Sequence, residues 1–235
     1  MSDYNVLDLF AGLGGFSQAF AASDRWHVTT VEIEERFEPD IVADVFDLRP
    51  SDFDYFDVVL ASPPCTQFSL AASSLERFVE GEPQTADARD AVALVYHTLG
   101  LIKGLNPDFW FLENPQGWLR HVIGTPTGRV TYCQYGEDFQ KPTDLWGVHP
   151  TGFTYRSCSA GQDCHVYNTS GEYGGWGNPA VMDDTRKELA DEGHDRAALR
   201  ALVPQELSEA TRDACEAALD GDAPVQTTLV DEVEA

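Results

Sequence analysis

Apolar residues in this chain fall into two patterns, short continuous runs and longer stretches of helical spacing. "NVLDLF" (5–10), "HVTTVEI" (27–33), "FDVVLASPP" (56–64) and "DFWFLENP" (108–115) are short runs bounded by Gly, Pro or acidic residues. Such runs predict strands buried on both faces. "DIVADVFDL" (40–48) and "RVTYCQYG" (129–136) are weaker versions of the same pattern. Between them, "FSQAFAAS" (16–23) and residues 84–105 predict helices; in the second, Val92, Leu94, Val95, Leu99 and Ile102 share one face. Strands alternating with helices predict an α/β fold with a Rossmann-like, doubly wound, mostly parallel sheet.

The pattern changes after residue 146. Residues 147–180 are rich in Gly, Ser, Thr and Tyr and carry little periodicity, and helical spacing returns over 185–219. The expected organisation is therefore a catalytic α/β domain over 1–146, a short irregular insert over 147–184, helices over 185–220 that pack back, and an acidic tail over 221–235. No apolar run reaches the ~18 residues of a membrane span, and "MSDYNVLDLF" lacks the charged start of a signal peptide. Five cysteines in 235 residues, an odd number, do not make a disulfide framework, so a reducing cytoplasm is expected. Nothing in the sequence specifies an oligomer, and a monomer is the default.

In doubly wound sheets ligands bind beyond the carboxyl ends of the strands. Gly12 to Gly15, Glu32, Asp44, Cys65 and Glu113 all fall at predicted strand ends. The "AGLGG" turn lets backbone approach a ligand closely, ahead of a helix N-terminus. An acid ending the second strand, Glu32, suits two ribose hydroxyls. Together these features point to a cofactor that contains a nucleoside. Cys65 lies in "SPPCTQFS", on a loop stiffened by two prolines; a small buried hydrophobe and a positioned nucleophile both fit.

Charge adds a second layer. Forty acidic residues face fifteen basic ones, a net charge of −25. Such an excess repels itself in dilute buffer and is screened in molar salt, where the Debye length is ~3 Å. With Lys103, Lys141 and Lys187 as the only lysines, the composition points to a salt-rich, haloarchaeal or haloviral setting. Residues 114–171 are the exception. Glu137, Asp138, Asp144 and Asp163 balance Arg120, Arg129, Lys141 and Arg156 there. Either this region approaches a polyanion, or it is simply buried.

"DLFAGLGGFSQAF", "SPPCTQFS" and "FLENP", in that order and each at a strand end, resemble the cytosine carbon-5 methyltransferases that use S-adenosylmethionine. "GRVTYCQYGEDFQKPTDLW" extends the resemblance toward the small, phage-type members, and the likeness covers roughly residues 5–165. It implies a DNA methyltransferase in which Cys65 adds to carbon 6 of a flipped-out cytosine and Glu113 acts as the acid at ring nitrogen 3. It also implies cofactor contacts at Phe10, Gly12, Leu13, Gly15, Glu32, Ile33, Asp44, Val45 and Pro64, and at Leu94 on the long helix. The family's Gln-x-Arg-x-Arg motif is replaced by "QKPTDLW", which makes Lys141 the candidate contact to the base. Only residues 147–201 separate "KPTDLW" from "LVPQELSEATRDACEAAL", so the usual long target-recognition domain is reduced. Two other readings remain open at this level: the same chemistry on RNA or a free cytidine nucleotide, and an inactive DNA-binding relative. The insert holds His149, Cys158, Cys164 and His165, whose composition suits a structural zinc ion. Cys133 and Cys215 read as structural.

Overall fold

The computed structural model describes residues 3–69, 77–159, 162–165 and 184–221. Parts of the expected insert (160–161 and 166–183) and the acidic tail from 222 onward lie outside the described residues. The strands are β1 (Tyr4–Leu9), β2 (Trp26–Glu32), β3 (Ile41–Val42), β4 (Val58–Ala61), β5 (Phe78–Val79), β6 (Glu82–Pro83), β7 (Phe109–Pro115), β8 (Gly128–Thr131) and β9 (Pro142–Val148). The helices are α1 (Gln18–Ala21), α2 (Ala86–Leu105), α3 (Leu119–Ile123), α4 (Asp184–Asp191), α5 (Arg196–Ala201) and α6 (Gln205–Leu219).

Seven strands form one sheet in the order β3-β2-β1-β4-β7-β9-β8, and β5 and β6 form a separate hairpin. From β3 to β7 every pairing is parallel; β9 runs antiparallel to both of its neighbours. The sheet is thus mostly parallel, as the alternating pattern predicts. The chain leaves β1 toward β2 on one side and reaches β4 on the other. The carboxyl ends of β1 and β4 therefore flank the switch point, where open α/β sheets bind ligands.

β4 is completely buried from Val58 to Ala61, and β1 from Val6 to Leu9. Apolar side chains from the two faces of the sheet feed two separate cores. One gathers Phe16, Phe20, Phe111, Tyr132 and Leu207; the other gathers Leu7, Val59, Val95, Ile102 and Leu112. Thr85 caps α2 by accepting from the Ala88 N–H at 3.1 Å. The helix stops at Asn106, in the left-handed region at φ +51°, a stop that Asn tolerates well.

The sequence pattern does not predict β9. It reads "PTDLWGV", with Thr143 and Asp144 fully buried in mid-strand, so no apolar run marks it. The expected sixth strand also shortens, because after Thr131 the chain turns into a 3₁₀ helix over Tyr132–Tyr135. α6 docks on α1 through a polar contact inside an apolar stripe. Ser208 Oγ donates to the Phe16 carbonyl at 2.6 Å and accepts from the Ala19 N–H at 3.0 Å. This joint returns the C-terminal helices to the glycine turn.

Candidate active site

The glycine turn follows directly from β1. Gly12 and Gly14 hold φ +51° and +72° with open space where a Cβ would stand. A side chain there would be strained and would fill the space over the turn. Glu32 ends β2 and reaches back to the turn. Its Oε2 accepts from the Gly12 N–H at 3.0 Å, and its Oε1 accepts from the Ile33 and Glu34 N–H groups at 2.8 and 3.2 Å. Oε2 keeps a lone pair for a further hydroxyl. A cleft of about 400 Å³ runs past the turn, with Gly12 to Gly14 on one wall and Phe37 and His194 on the other, a size suited to a small cofactor. Phe37 and His194 stack at 6.1 Å, and Arg36 pairs with Asp195 at 3.0 Å, so the C-terminal segment closes the far wall.

The expected cofactor residues divide on this geometry. Gly12 and Leu13 line the cleft. Ile33 leaves 60 % of an apolar surface uncovered beside Glu32, which fits a platform for a flat ring. Phe10 sits at φ +62° at the start of the turn, and Pro64 is exposed on the β4 loop. Asp44 caps the following turn by accepting from the Phe46 N–H at 3.0 Å. Val45 is buried in the second core, and Leu94 is partly buried against it. At Gly15 an added Cβ would stand 2.7 Å from Leu202 Cδ1 and from the Val203 nitrogen. Its lack of a side chain therefore serves the chain's own C-terminal segment.

Asp8, in β1 three residues before the cleft residue Ala11, carries a role that the sequence pattern does not reveal. It is buried, its Oδ2 accepts from Ser17 Oγ at 2.6 Å, and its Oδ1 has no partner. Burial pushes its carboxyl up to about 7, against the pull of Ser17, and the neighbouring Glu32 charge adds to the rise. The signal in the sequence is a charged residue inside the apolar run "NVLDLF".

Cys65 follows β4 on the two-proline loop, where its carbonyl accepts from the Phe68 and Ser69 N–H groups at 3.0 and 2.9 Å. Two clamps tie this loop to β7. Asn114 Nδ2 donates to the Pro63 carbonyl at 2.9 Å, and the Trp118 N–H donates to the Phe68 carbonyl at 2.8 Å. Gly117 is required here, because a Cβ would collide with that carbonyl. Glu113, the residue before Asn114, is buried in β7. Its Oε1 accepts from the Tyr132 hydroxyl at 3.0 Å, and Lys141 Nζ stands 4.0 Å away, 3.3 Å from the same hydroxyl. Lys141 also donates to the Arg200 carbonyl at 3.1 Å. Burial raises the Glu113 carboxyl, while Lys141 and Tyr132 oppose the rise; burial lowers the Lys141 ammonium, while Glu113 and Cys65 oppose the fall. Burial likewise raises the Cys65 thiol, with Lys141 pulling it down and Glu113 pushing it up. The three groups thus share one electrostatic site. Tyr132 is a further member, which no sequence motif singles out.

The neutral region resolves mainly as buried structure. Thr131, Tyr132, Cys133, Gln140, Thr143 and Asp144 are all buried. Of its four cations, Lys141 is buried in the site, and Arg120 forks onto both oxygens of the fully buried Asp144. Arg156 lies over the Tyr135 ring and 3.5 Å from Glu206. Arg129 is exposed. The expected metal set is also rearranged. Cys158, Cys164 and His165 meet, but the fourth member is Cys133. His149 instead stacks on Phe111 at 4.1 Å with its Nδ1 2.5 Å from the Tyr155 hydroxyl, and burial lowers its pKa to about 4.

Residues 4–127, more than half of the chain, match the family described as C-5 cytosine-specific DNA methylase. The chain belongs to that family. The family's reaction, methyl transfer from S-adenosylmethionine to carbon 5 of cytosine in DNA, is accordingly its reaction. A probable DNA (cytosine-5)-methyltransferase of Frog virus 3 is 28% identical over 187 residues, covering 76% of this chain and 86% of the viral protein. The type II methyltransferase M.HaeII of Haemophilus aegyptius is 28% identical over 173 residues, covering 65% of this chain. The aligned part is only 51% of M.HaeII. Among solved structures, the Entamoeba histolytica methyltransferase EhMeth superposes with a TM-score of 0.45 at 13% identity, over 62% of this chain and 53% of that one.

Proposed function

We propose that this C-5 cytosine methylase works through a covalent adduct on Cys65, with Glu113 and Lys141 as its partners on the base. The observation that carries this reading is the convergence of Cys65, Glu113 and Lys141 at the carboxyl edge of β4 and β7. The glycine turn, Glu32, the uncovered Ile33 and the adjoining cleft suit S-adenosylmethionine. Bound there, that cofactor supplies an electrophilic methyl group on its sulfonium.

The chain's own residues do the rest. A cytosine flipped from the duplex, at a cost of a few kcal/mol, meets the Cys65 loop. Lys141 favours the thiolate, which adds to carbon 6. Negative charge then builds on the ring, and Glu113 donates a proton or hydrogen bond to nitrogen 3. Acid help of this kind is worth ~10²–10⁴ in rate. The ring becomes an enamine whose carbon 5 is nucleophilic. After carbon 5 is alkylated, loss of its proton to a base expels Cys65 as thiolate, and the aromatic ring and the free enzyme return together. Asn114 and Gly117 act as positioning residues that hold the two loops in register.

The excess of acid and scarcity of lysine favour a working environment of molar salt, as in a haloarchaeal cell or its viruses, and five cysteines that make no disulfide framework favour a cytoplasmic site of action. Among the described residues no helix is long and apolar enough to cross a membrane. The division of labour in this reading is residues 1–146 for catalysis, the insert over 147–184 for a reduced recognition surface, and residues 185–220 as a brace behind the glycine turn.

A duplex carrying 5-fluorocytosine has no proton at carbon 5 to release, so the enzyme should stay attached to it. With cofactor present, a denaturation-resistant complex should form and map by mass spectrometry to Cys65. Cys65→Ser should form none while binding cofactor normally. An adduct on another residue, or full activity in the serine variant, overturns the assignment.

A further inference from the structure

Cys133, Cys158, Cys164 and His165 do not touch the groups that handle the base, yet their ligand atoms all lie within 4.8 Å of one another. Cys133 Sγ is 3.1 Å from Cys158 Sγ and 3.7 Å from Cys164 Sγ. His165 Nδ1 is 3.8 Å from Cys158 Sγ and 3.5 Å from Cys164 Sγ. Thiolates held about 2.3 Å from a central zinc stand about 3.8 Å apart at the corners of a tetrahedron, and an imidazole nitrogen stands slightly closer. Three of these four separations match that figure, and the fourth is shorter. All four residues lie on one small patch, although Cys133 is far from the others in sequence.

A second observation says what such a patch is for. The last apolar anchors of this segment are Phe153 and the partly buried Tyr155, both packed on the first core. Beyond Cys158 the described residues are Ser159, Gln162, Asp163, Cys164 and His165. None offers a large apolar side chain, so hydrophobic burial cannot hold this segment against the domain. The floor of the patch is already prepared. The Cys158 N–H donates to Thr131 Oγ1 at 3.2 Å, and the buried Gln140 donates from Nε2 to Cys158 Sγ at 3.2 Å. Outer donors of this kind stabilise a metal-bound thiolate.

We infer that Cys133, Cys158, Cys164 and His165 bind one zinc ion as a tetrahedral three-sulfur, one-nitrogen structural site. Each thiol gives up its proton on binding, and neutral His165 supplies the fourth bond. Four protein ligands leave no open position, so the ion is structural and takes no part in the methyl transfer. Its place in the molecule gives it a task. Cys133 follows Tyr132, and Gln140 precedes Lys141, so the ion ties residues 158–165 to the two turns that carry the groups around Glu113.

The test uses the full chain purified without added metal. Elemental analysis should find about one zinc per chain, and replacement by cobalt(II) should give the intense visible bands of a tetrahedral centre with a thiolate charge-transfer band. Cys164→Ser and His165→Ala, both outside the sheet, should each lose most of the zinc, while His149→Gln should keep it. Chelation should lower the Tm of the wild type and leave that of Cys164→Ser unchanged. Protein that is folded, metal-free and unresponsive to added zinc overturns the site. A disulfide between Cys133 and Cys158 in freshly purified protein, or full zinc retention in Cys164→Ser, does so as well. None of these readings depends on methylation, so the site stands or falls apart from the assignment of Cys65.

Discussion

Tyr132 donates its hydroxyl proton to Glu113 Oε1 at 3.0 Å, and both side chains are buried. Lys141 reaches the same hydroxyl at 3.3 Å. The acid of the site is therefore held by a neutral donor and a cation, both of which pull its pKa down against burial. Tyr132→Phe removes one of these without changing shape. The alkaline limb in the pH profile of kcat, where Glu113 loses its proton, should move to higher pH, and kcat should fall by about tenfold, the equivalent of one net hydrogen bond to a charged group. Cofactor affinity should not change. An unmoved limb would mean that Glu113 does not titrate in the profile.

Lys141 also lowers the Cys65 thiol. In Lys141→Met the thiol loses its only nearby cation other than Arg200 among the causes of that shift, and its pKa should rise further. Activity should fall most at pH 7 and recover in part toward pH 9, because a one-unit rise removes about nine-tenths of the thiolate at a pH below both pKa values. The rate of alkylation by iodoacetamide, followed against pH in variant and wild type, reads the thiol directly. Coincident alkylation profiles would remove Lys141 from this role.

Glu32 joins the end of β2 to the glycine turn through the Gly12 N–H. Glu32→Ala should weaken S-adenosylmethionine binding by about 1–3 kcal/mol, the loss expected for hydrogen bonds to a charged group. Calorimetry should show the change in affinity with the fold intact by circular dichroism. Unchanged affinity would retire Glu32 as a cofactor ligand.

The strand ends are legible in the sequence because apolar runs followed by Gly, Pro or acid mark them unambiguously. That pattern locates Gly12, Glu32, Cys65 and Glu113 at the carboxyl edge. β9 is not legible, since its buried Thr143 and Asp144 break the apolar run; Thr143 Oγ1 donates to the Lys141 carbonyl, and Asp144 finds its partner, Arg120, in a distant segment. Tyr132 is hidden for a related reason. A tyrosine beside a strand looks like packing until the fold brings Glu113 across from it. Composition alone points to a Cys/His cluster, but the choice of Cys133 over His149 rests on residues 156–158 lying alongside Thr131, which no local spacing reveals. The neutral charge of the central region suggests a face for a polyanion, whereas burial accounts for much of it.

Asp8 makes stability depend on pH in a predictable direction. Its folded-state pKa is raised to about 7 from 3.8. Between those values the native state holds a proton that the unfolded chain releases, so this group's contribution falls as pH rises and is fully unfavourable above about 7. Asp8→Asn keeps an acceptor for Ser17 and removes the titration. In the absence of cofactor, the Tm of the variant minus that of the wild type should grow from pH 5 to pH 8, measured in molar salt. Parallel curves would show that Asp8 ionises in the folded protein as freely as in the unfolded chain.

Arg120 and Arg156 stand near the carboxyl edge, one in α3 after β7 and the other with its backbone carbonyl accepting from the Thr131 N–H at the end of β8. In the complex with a DNA duplex, these two should contact its phosphates. Charge reversal is the wrong test for Arg120, because a glutamate there would face the buried Asp144 carboxylate and unfold the site. The double change Arg120→Gln and Arg156→Gln removes two cations while the amide at 120 can still donate to Asp144, and circular dichroism with unchanged cofactor affinity checks that the site stays folded. It should weaken duplex binding at least tenfold at moderate salt and reduce the slope of log K against log salt by about 2, one for each phosphate left without its cation. Arg25→Gln is the control. That residue precedes β2 at the opposite edge, where it pairs with Asp3 and Asp220, and its removal should leave both affinity and slope unchanged. At molar salt the difference between the double variant and the wild type should shrink, since counterion release contributes little there. Fluorescence anisotropy with a labelled duplex across salt concentrations measures all three. If the Arg25 variant and the double variant behave alike, DNA does not approach from the Cys65 edge.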